Sequence, residues 1–306
     1  MARYEETEWR DSMRIRFDYT NMMADVVGKN RGSTDAELDE MEFRLSAALD
    51  VLRMRRGPKD LAWPDLYKRS EMVDDVLSFA RETEGVYDDI LVLGIGGSAL
   101  GITALKTALL PFGSDVLSPE ERKRPRLQVL DNVDPDWVVP VLRTLKPDRT
   151  LVIVISKSGN TTETLAQFLM ARAWLREALG EAAACHLVAI TDPEKGPLRA
   201  IAQREGYRTF PVPPGVGGRF SVLSPVGLVP AALVGIDIKE LLAGAGYADQ
   251  LCSTRGLRKN PAGMNAVLQH LAYQRGQRIS VLMPYSQHLR DVADWFRQLW
   301  AESLGK

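Results

Sequence analysis

From residue 89 onward, short apolar runs alternate with longer segments of helical spacing, and this alternation sets the expected architecture. The runs at 90–93, 127–130, 151–155 and 186–190 are rich in Leu, Ile and Val and have the length of strands buried on both faces, and 207–210, with Tyr, Thr and Phe, is expected as a further strand. Between them, 98–110, 136–145, 161–179 and 197–205 carry the apolar spacing of helices that cover a sheet. Strand–loop–helix units in series predict an α/β fold, a doubly wound parallel sheet flanked by helices. Ligands of such sheets bind beyond the carboxyl ends of the strands.

The flanks read differently. The first 85 residues lack strand signals. There, "STDAELDEMEFRLSAALDVLRM" (33–54) opens with hydroxyl and acidic residues and continues as an amphipathic helix, and a second helix is expected over 65–83. After Gly215 the chain turns helical again through "SPVGLVPAALVG" and "NPAGMNAVLQHLAYQRG". "RISVLMPY" (278–285) then reads as a new strand, followed by the helix "LRDVADWFRQLWAESLGK". The expected division is a helical segment over 1–85, a sheet-bearing α/β domain over 86–235, a helical connection over 236–277, and the beginning of a second α/β domain over 278–306.

Charge and cysteine usage narrow the function by exclusion. Lys and Arg total 39 against 40 Asp and Glu, which leaves no global field favouring nucleic acid or an anionic membrane. Cys185 and Cys252 lie far apart without metal-ligand spacing and fit a reducing compartment. The amino terminus is charged and no apolar stretch approaches membrane-spanning length, so a cytoplasmic protein is expected.

Candidate chemistry gathers in four stretches. In "VISKSGNTTET" (154–164), Ser156, Ser158, Thr161, Thr162 and Thr164, with Lys157 and Gly159, crowd a strand-to-helix turn. Backbone N–H groups lack partners there and the helix dipole attracts an anion. One or two hydroxyls would serve as caps; this many exceed one cap and suit a phosphate. "LGIGGSALG" (93–101) makes a second such turn, in which Gly94, Gly96 and Gly97 admit close backbone approach and Ser98 begins a helix. Gly94-x-Gly96-x-x-Ala99 also satisfies the looser dinucleotide fingerprint, which keeps a nicotinamide-dependent oxidoreductase as an alternative. The acid closing the next strand, Asp131, comes 35 residues after Gly96, whereas the fingerprint expects it about 20 on. In "PGVGGRFSVLSPVG", Arg219 stands among glycines with little local acid, which suits an anion or developing oxyanion as well as loop carbonyls. On the terminal helix, Val292, Trp295, Phe296, Leu299 and Ser303 form the expected inward stripe, with Gln298 and Glu302 four apart along its edge. A partly desolvated glutamate there suits a general base, while by default a glutamate near a helix end is a surface residue.

In this order, "GIGGS", "SKSGNTTET", "GVGGRFS" and "ESLGK" resemble the landmark motifs of the glucose-6-phosphate isomerase family, whose domains are of the sugar isomerase type. The resemblance runs from about Leu91 to the end. It implies reversible isomerisation of glucose 6-phosphate and fructose 6-phosphate through a cis-enediol, without cofactor or metal, in a homodimer. Carried over, it assigns Gly97 and Ser98 to the substrate's phosphate side and Ser156, Lys157, Ser158, Thr161 and Thr164 to a phosphate cradle. Arg219 would steady the enediolate, Gln298 orient the sugar, and Glu302 move the proton between C1 and C2. The family chain continues past this last motif to a ring-opening histidine and a late lysine. His186, His270 and His288 fall outside any matching motif, so this chain is expected to be a fragment or to draw those groups from elsewhere. A sugar-phosphate-binding module without turnover is the alternative that follows.

Overall fold

A computed structural model of the chain describes residues 5–12 and 16–305. Lys306 of the last motif, and residues 1–4 and 13–15 of the expected amino-terminal segment, lie outside the described residues. In chain order the longer elements are α1 (Asp35–Arg55), α2 (Ser70–Glu82), β1 (Asp89–Leu93), α3 (Leu100–Leu109), β2 (Arg126–Leu130), α4 (Pro135–Arg143), β3 (Thr150–Ser156), α5 (Thr162–Leu179), β4 (Leu187–Thr191), α6 (Pro197–Glu205), β5 (Arg208–Pro211), α7 (Pro225–Leu233), α8 (Ile238–Cys252), α9 (Pro261–Gln274) and α10 (Arg290–Leu304).

All strand pairs are parallel, in the order β2-β1-β3-β4-β5. The continuous aliphatic runs of β1, β3 and β4 are buried along their whole length, as strands covered on both faces must be. The edge strands β2 and β5 mix in polar residues and are only partly buried. On one face Leu91, Leu93, Val152 and Val154 pack with Val138 of α4, Phe168 and Leu175 of α5, and Leu198 of α6. Burying each such side chain contributes roughly 1.5–3 kcal/mol. On the other side, α7 contacts β1 and is followed outward by α2 and α3, with α10 against α3. From β1 the chain steps to one side, to β2, and then crosses to β3 on the other. The crevice beyond the carboxyl ends of β1 and β3 is therefore the topological switch point.

Residues 58–238 and 282–306 form one compact unit around this sheet, and 1–57 with 239–281 form the other. These units cut across the linear segments expected from the sequence. In the smaller unit a capping box, Thr34 with Glu37, starts α1. Leu38, Leu45 and Leu49 of that helix are buried with Leu257, Met264, Val267, Leu268 and Leu271. Arg56 pairs with Asp249 at 2.7 Å in the same unit. No helix among the described residues is long and apolar enough to cross a membrane.

Three local expectations need correction. The helix expected from residue 65 is a 3-10 turn, Trp63–Lys68, followed by α2 from Ser70; Leu66 is buried with Ala62 and Val216, and this anchoring interrupts the helix. The helix expected from Ser98 is preceded by a 3-10 turn, Gly96–Ser98, and starts at Leu100. The strand expected over 278–285 does not form: among the described residues the segment is irregular and has no ladder partner. Ile279 is 88% and Tyr285 94% exposed, so its β-branched residues have propensity without a sheet to join.

Candidate active site

The two glycine- and hydroxyl-rich turns follow β1 and β3, the neighbouring strands at the switch point. Ser156 is the last residue of β3, buried, and its carbonyl accepts from the Thr191 hydroxyl of β4 at 2.7 Å. Its own hydroxyl shares a hydrogen bond with Thr161 Oγ1 at 3.2 Å. Thr161 is the N-cap of α5, yet its side chain makes no cap hydrogen bond. Thr164, in the first turn of α5, is fully buried and its hydroxyl has no hydrogen-bond partner among the described residues. Plain capping therefore does not account for these hydroxyls. An unpaired buried hydroxyl costs free energy unless something accepts or donates to it. Ser158 is exposed and its hydroxyl accepts from Asn160 N at 3.2 Å.

Lys157 is exposed, and its ammonium donates to the Val216 carbonyl at 2.8 Å. That bond ties the hydroxyl turn to the loop carrying Arg219. Nearby, the Asp192 carboxyl is held below its ordinary range, chiefly by the Glu194 and Lys195 backbone N–H groups, with the Lys195 and Lys157 charges adding to the effect.

The turn after β1 is packed against the Arg219 loop. A Cβ on Gly97 would fall 2.3 Å from the Gly218 carbonyl and 2.7 Å from Arg219 N, so glycine is required for the two loops to meet. A Cβ on Gly94 would strike Ser98 Cβ at 2.8 Å. These two glycines are thus needed for packing within the protein. Ser98 is half-buried at the end of this turn.

Arg219 gathers the remaining candidates. Its Nε donates to Ser303 Oγ at 3.0 Å, and its Nη1 lies 3.5 Å from Glu302 Oε2. The Gln298 amide donates to Glu302 Oε1 at 2.9 Å, while Gln298 Oε1 is buried without a partner among the described residues. The Trp295 indole donates to the Arg219 carbonyl at 3.3 Å. Ser303, expected on the inward stripe of the terminal helix, is exposed; only its hydroxyl is engaged. Val292, Trp295, Phe296 and Leu299 are half-buried, and α10 has no buried residue. A carboxylate touching a guanidinium, with an amide at its other oxygen, is a base whose developing partner charge has a ready counter-ion.

The histidines stand apart. His186 Nδ1 is 2.9 Å from the Thr150 carbonyl at the start of β3, and His288 Nδ1 is 2.9 Å from the Thr107 carbonyl, its ring stacked on Phe112. His270 is exposed on α9. Sequence reading missed Phe220, whose ring underlies the Arg219 guanidinium at 4.5 Å, and Trp63, stacked on Phe220 at 5.1 Å. Only the adjacency of Arg219 and Phe220 could have flagged the first; nothing local signals the second.

A family profile for phosphoglucose isomerase matches residues 68–306. The chain belongs to that family. The glucose-6-phosphate isomerase of Carboxydothermus hydrogenoformans is 41% identical over 295 residues, a match covering 96% of this chain and 63% of the relative. That of Rubrobacter xylanophilus is 44% identical, covering 95% of this chain and 66% of the relative. The chain thus spans less than two thirds of the length of these curated relatives. A crystal structure of a hypothetical protein from Thermus thermophilus matches with a TM-score of 0.79 and 40% identity, over 88% of this chain and 62% of that one. A glucose-6-phosphate isomerase from Chlamydia trachomatis matches with a TM-score of 0.73 and 26% identity, over 89% of this chain and 56% of that one. Family membership gives no support to the nicotinamide alternative.

Proposed function

We propose that this chain carries the phosphate-binding and proton-transfer part of a glucose-6-phosphate isomerase, an aldose–ketose isomerase. The contact between Arg219 and Glu302, on a loop tied to the turns that follow β1 and β3, carries this reading. In open-chain glucose 6-phosphate, Glu302 removes the C2 proton and the electron pair moves to the C1 carbonyl oxygen, giving an enediolate. Arg219 stabilises the charge that develops there. Glu302 returns the proton to C1 while the O2 proton passes to O1, which leaves the C2 carbonyl of fructose 6-phosphate. Gln298 orients the sugar beside Glu302. Ser156, Lys157, Ser158, Thr161 and Thr164 hold the phosphate, with Gly97 and Ser98 on its near side. The orphaned Thr164 hydroxyl supports that cradle, because a phosphate oxygen is the acceptor it lacks.

On the same footing we assign the protein to the cytoplasm and to a homodimer, without nucleic-acid partners. Residues 278–306 are proposed to begin a second α/β domain. The test is solvent-deuterium incorporation at C1 of fructose 6-phosphate. Glu302→Gln should slow it by about 10²–10⁴-fold while sugar-phosphate binding persists. Undiminished exchange in Glu302→Gln would remove Glu302 as the base. Binding without exchange in the unsubstituted chain would favour a non-catalytic sugar-phosphate module.

A further inference from the structure

We infer that Trp63 is a positioning residue for Arg219, acting through the ring of Phe220; this rests on the isomerase reading above. The Arg219 guanidinium carbon lies 4.5 Å from the Phe220 ring centroid. That ring in turn lies nearly parallel to Trp63, with centroids 5.1 Å apart and 12° between planes. Trp63 begins the 3-10 turn Trp63–Lys68, which is fastened to the Arg219 loop at two further points. Ala62 N donates to the Gly215 carbonyl at 3.3 Å. Ala62, Leu66 and Val216 form a buried cluster of their own, with Leu223 packed against it.

Two comparisons give this stack its meaning. Arg219 reaches Ser303 and Glu302 only on α10, a helix with no buried residue. The Phe220 face joins its guanidinium to Trp63, whose turn is anchored by the buried Leu66 beside Ala62 and Val216. Trp63 itself is 40% exposed, so burial in that core does not account for a tryptophan here. An arginine that must meet a transient anion gains from being held in place beforehand, since no reorganisation is then needed as charge develops. A face-on aromatic ring holds a guanidinium without using its N–H donors, which stay directed at the anion. Trp63 also precedes residue 68, where the family profile begins to match, so no motif draws attention to it.

The test compares Trp63→Ala, Trp63→Leu and Trp63→Phe in the 306-residue chain by two readouts. In nitrogen-15 NMR the Arg219 Nε–H signal, assigned through Arg219→Lys, should be displaced by the ring current of Phe220. Trp63→Ala should shift and broaden it toward the position of a solvated arginine, and Trp63→Phe should restore it. A signal unchanged in Trp63→Ala overturns the proposal, whatever the chain binds. Calorimetry then compares 6-phosphogluconate, anionic at C1, with fructose 6-phosphate, neutral there. Trp63→Leu should weaken 6-phosphogluconate about 5-fold and leave fructose 6-phosphate within about 2-fold. Trp63→Phe should recover the lost affinity. Equal weakening of both ligands would make Trp63 a general scaffold residue and overturn its positioning role. Should Trp63→Ala not fold, the Leu and Phe variants carry both readouts. If the unsubstituted chain binds neither sugar phosphate, the isomerase reading falls, while the NMR comparison still decides whether Trp63 orders Arg219.

Discussion

The turn after β3 and the helix α10 both supply candidate site residues, and they are held by different means. Ser156 closes a strand whose seven residues are all buried, and Thr164 is fully buried in the first turn of α5. Their positions follow from the sheet and its crossover. Glu302 and Ser303 sit on a helix without one buried residue, and they meet Arg219 through side-chain contacts. The proposed anion-binding side is thus preorganised by packing, whereas the proposed proton-transfer side is preorganised by a few polar and aromatic contacts. Substitutions in the turn should cost binding and spare the fold. Substitutions around α10 should cost chemistry first.

The largest effect expected from this contrast is that of Ser156→Ala combined with Thr161→Ala. The two hydroxyls bond to each other, so removing both together leaves neither unpaired. Loss of two charge-assisted hydrogen bonds, each about 1.5–3 kcal/mol, should lower fructose 6-phosphate affinity by about 10²-fold or more. Thermal melting should show a far smaller change. Unaltered affinity by calorimetry would reduce the hydroxyls to packing groups.

A more discriminating case is Thr164→Val, which keeps the shape and deletes the orphaned hydroxyl. Affinity should fall about 10-fold while the ligand-free chain becomes no less stable, because an unsatisfied buried group is removed. Parallel losses of stability and affinity would contradict the division drawn above.

On the other side, Trp295→Phe deletes the indole donor to the Arg219 carbonyl, a bond worth about 0.5–1.5 kcal/mol. Deuterium exchange should slow by about 3–10-fold with affinity within about 2-fold. An effect on affinity larger than on exchange would invert the comparison.

How far these features could be read beforehand differs along the chain. The strands expected at 151–155 and 186–190 form at 150–156 and 187–191, a residue away at each end, because an uninterrupted aliphatic run has one stable use in a parallel sheet. The hydroxyl turn was equally plain, since Ser and Thr at a strand-to-helix junction exceed what a cap requires. Trp63 was illegible: its partner Phe220 is distant in sequence, and a lone tryptophan after a basic run has no local signature. The glycines of "GIGGS" were visible while the packing demand on Gly97 was not, because the Gly218 carbonyl that excludes a Cβ there belongs to another loop.

The sequence by itself determined the alternation of strands and helices, the turn lined with hydroxyls, and the presence of Arg219, Gln298 and Glu302 as candidate groups. These depend on periodicity and local backbone chemistry, which act over a few residues. Tertiary structure decided which groups meet: Arg219 with Glu302 and Ser303, Lys157 with Val216, and Trp63 beneath the arginine loop. It also decided that 278–285, strand-like in composition, stays unpaired among the described residues. A helix closes its hydrogen bonds within itself, but a strand takes its partner from elsewhere in space.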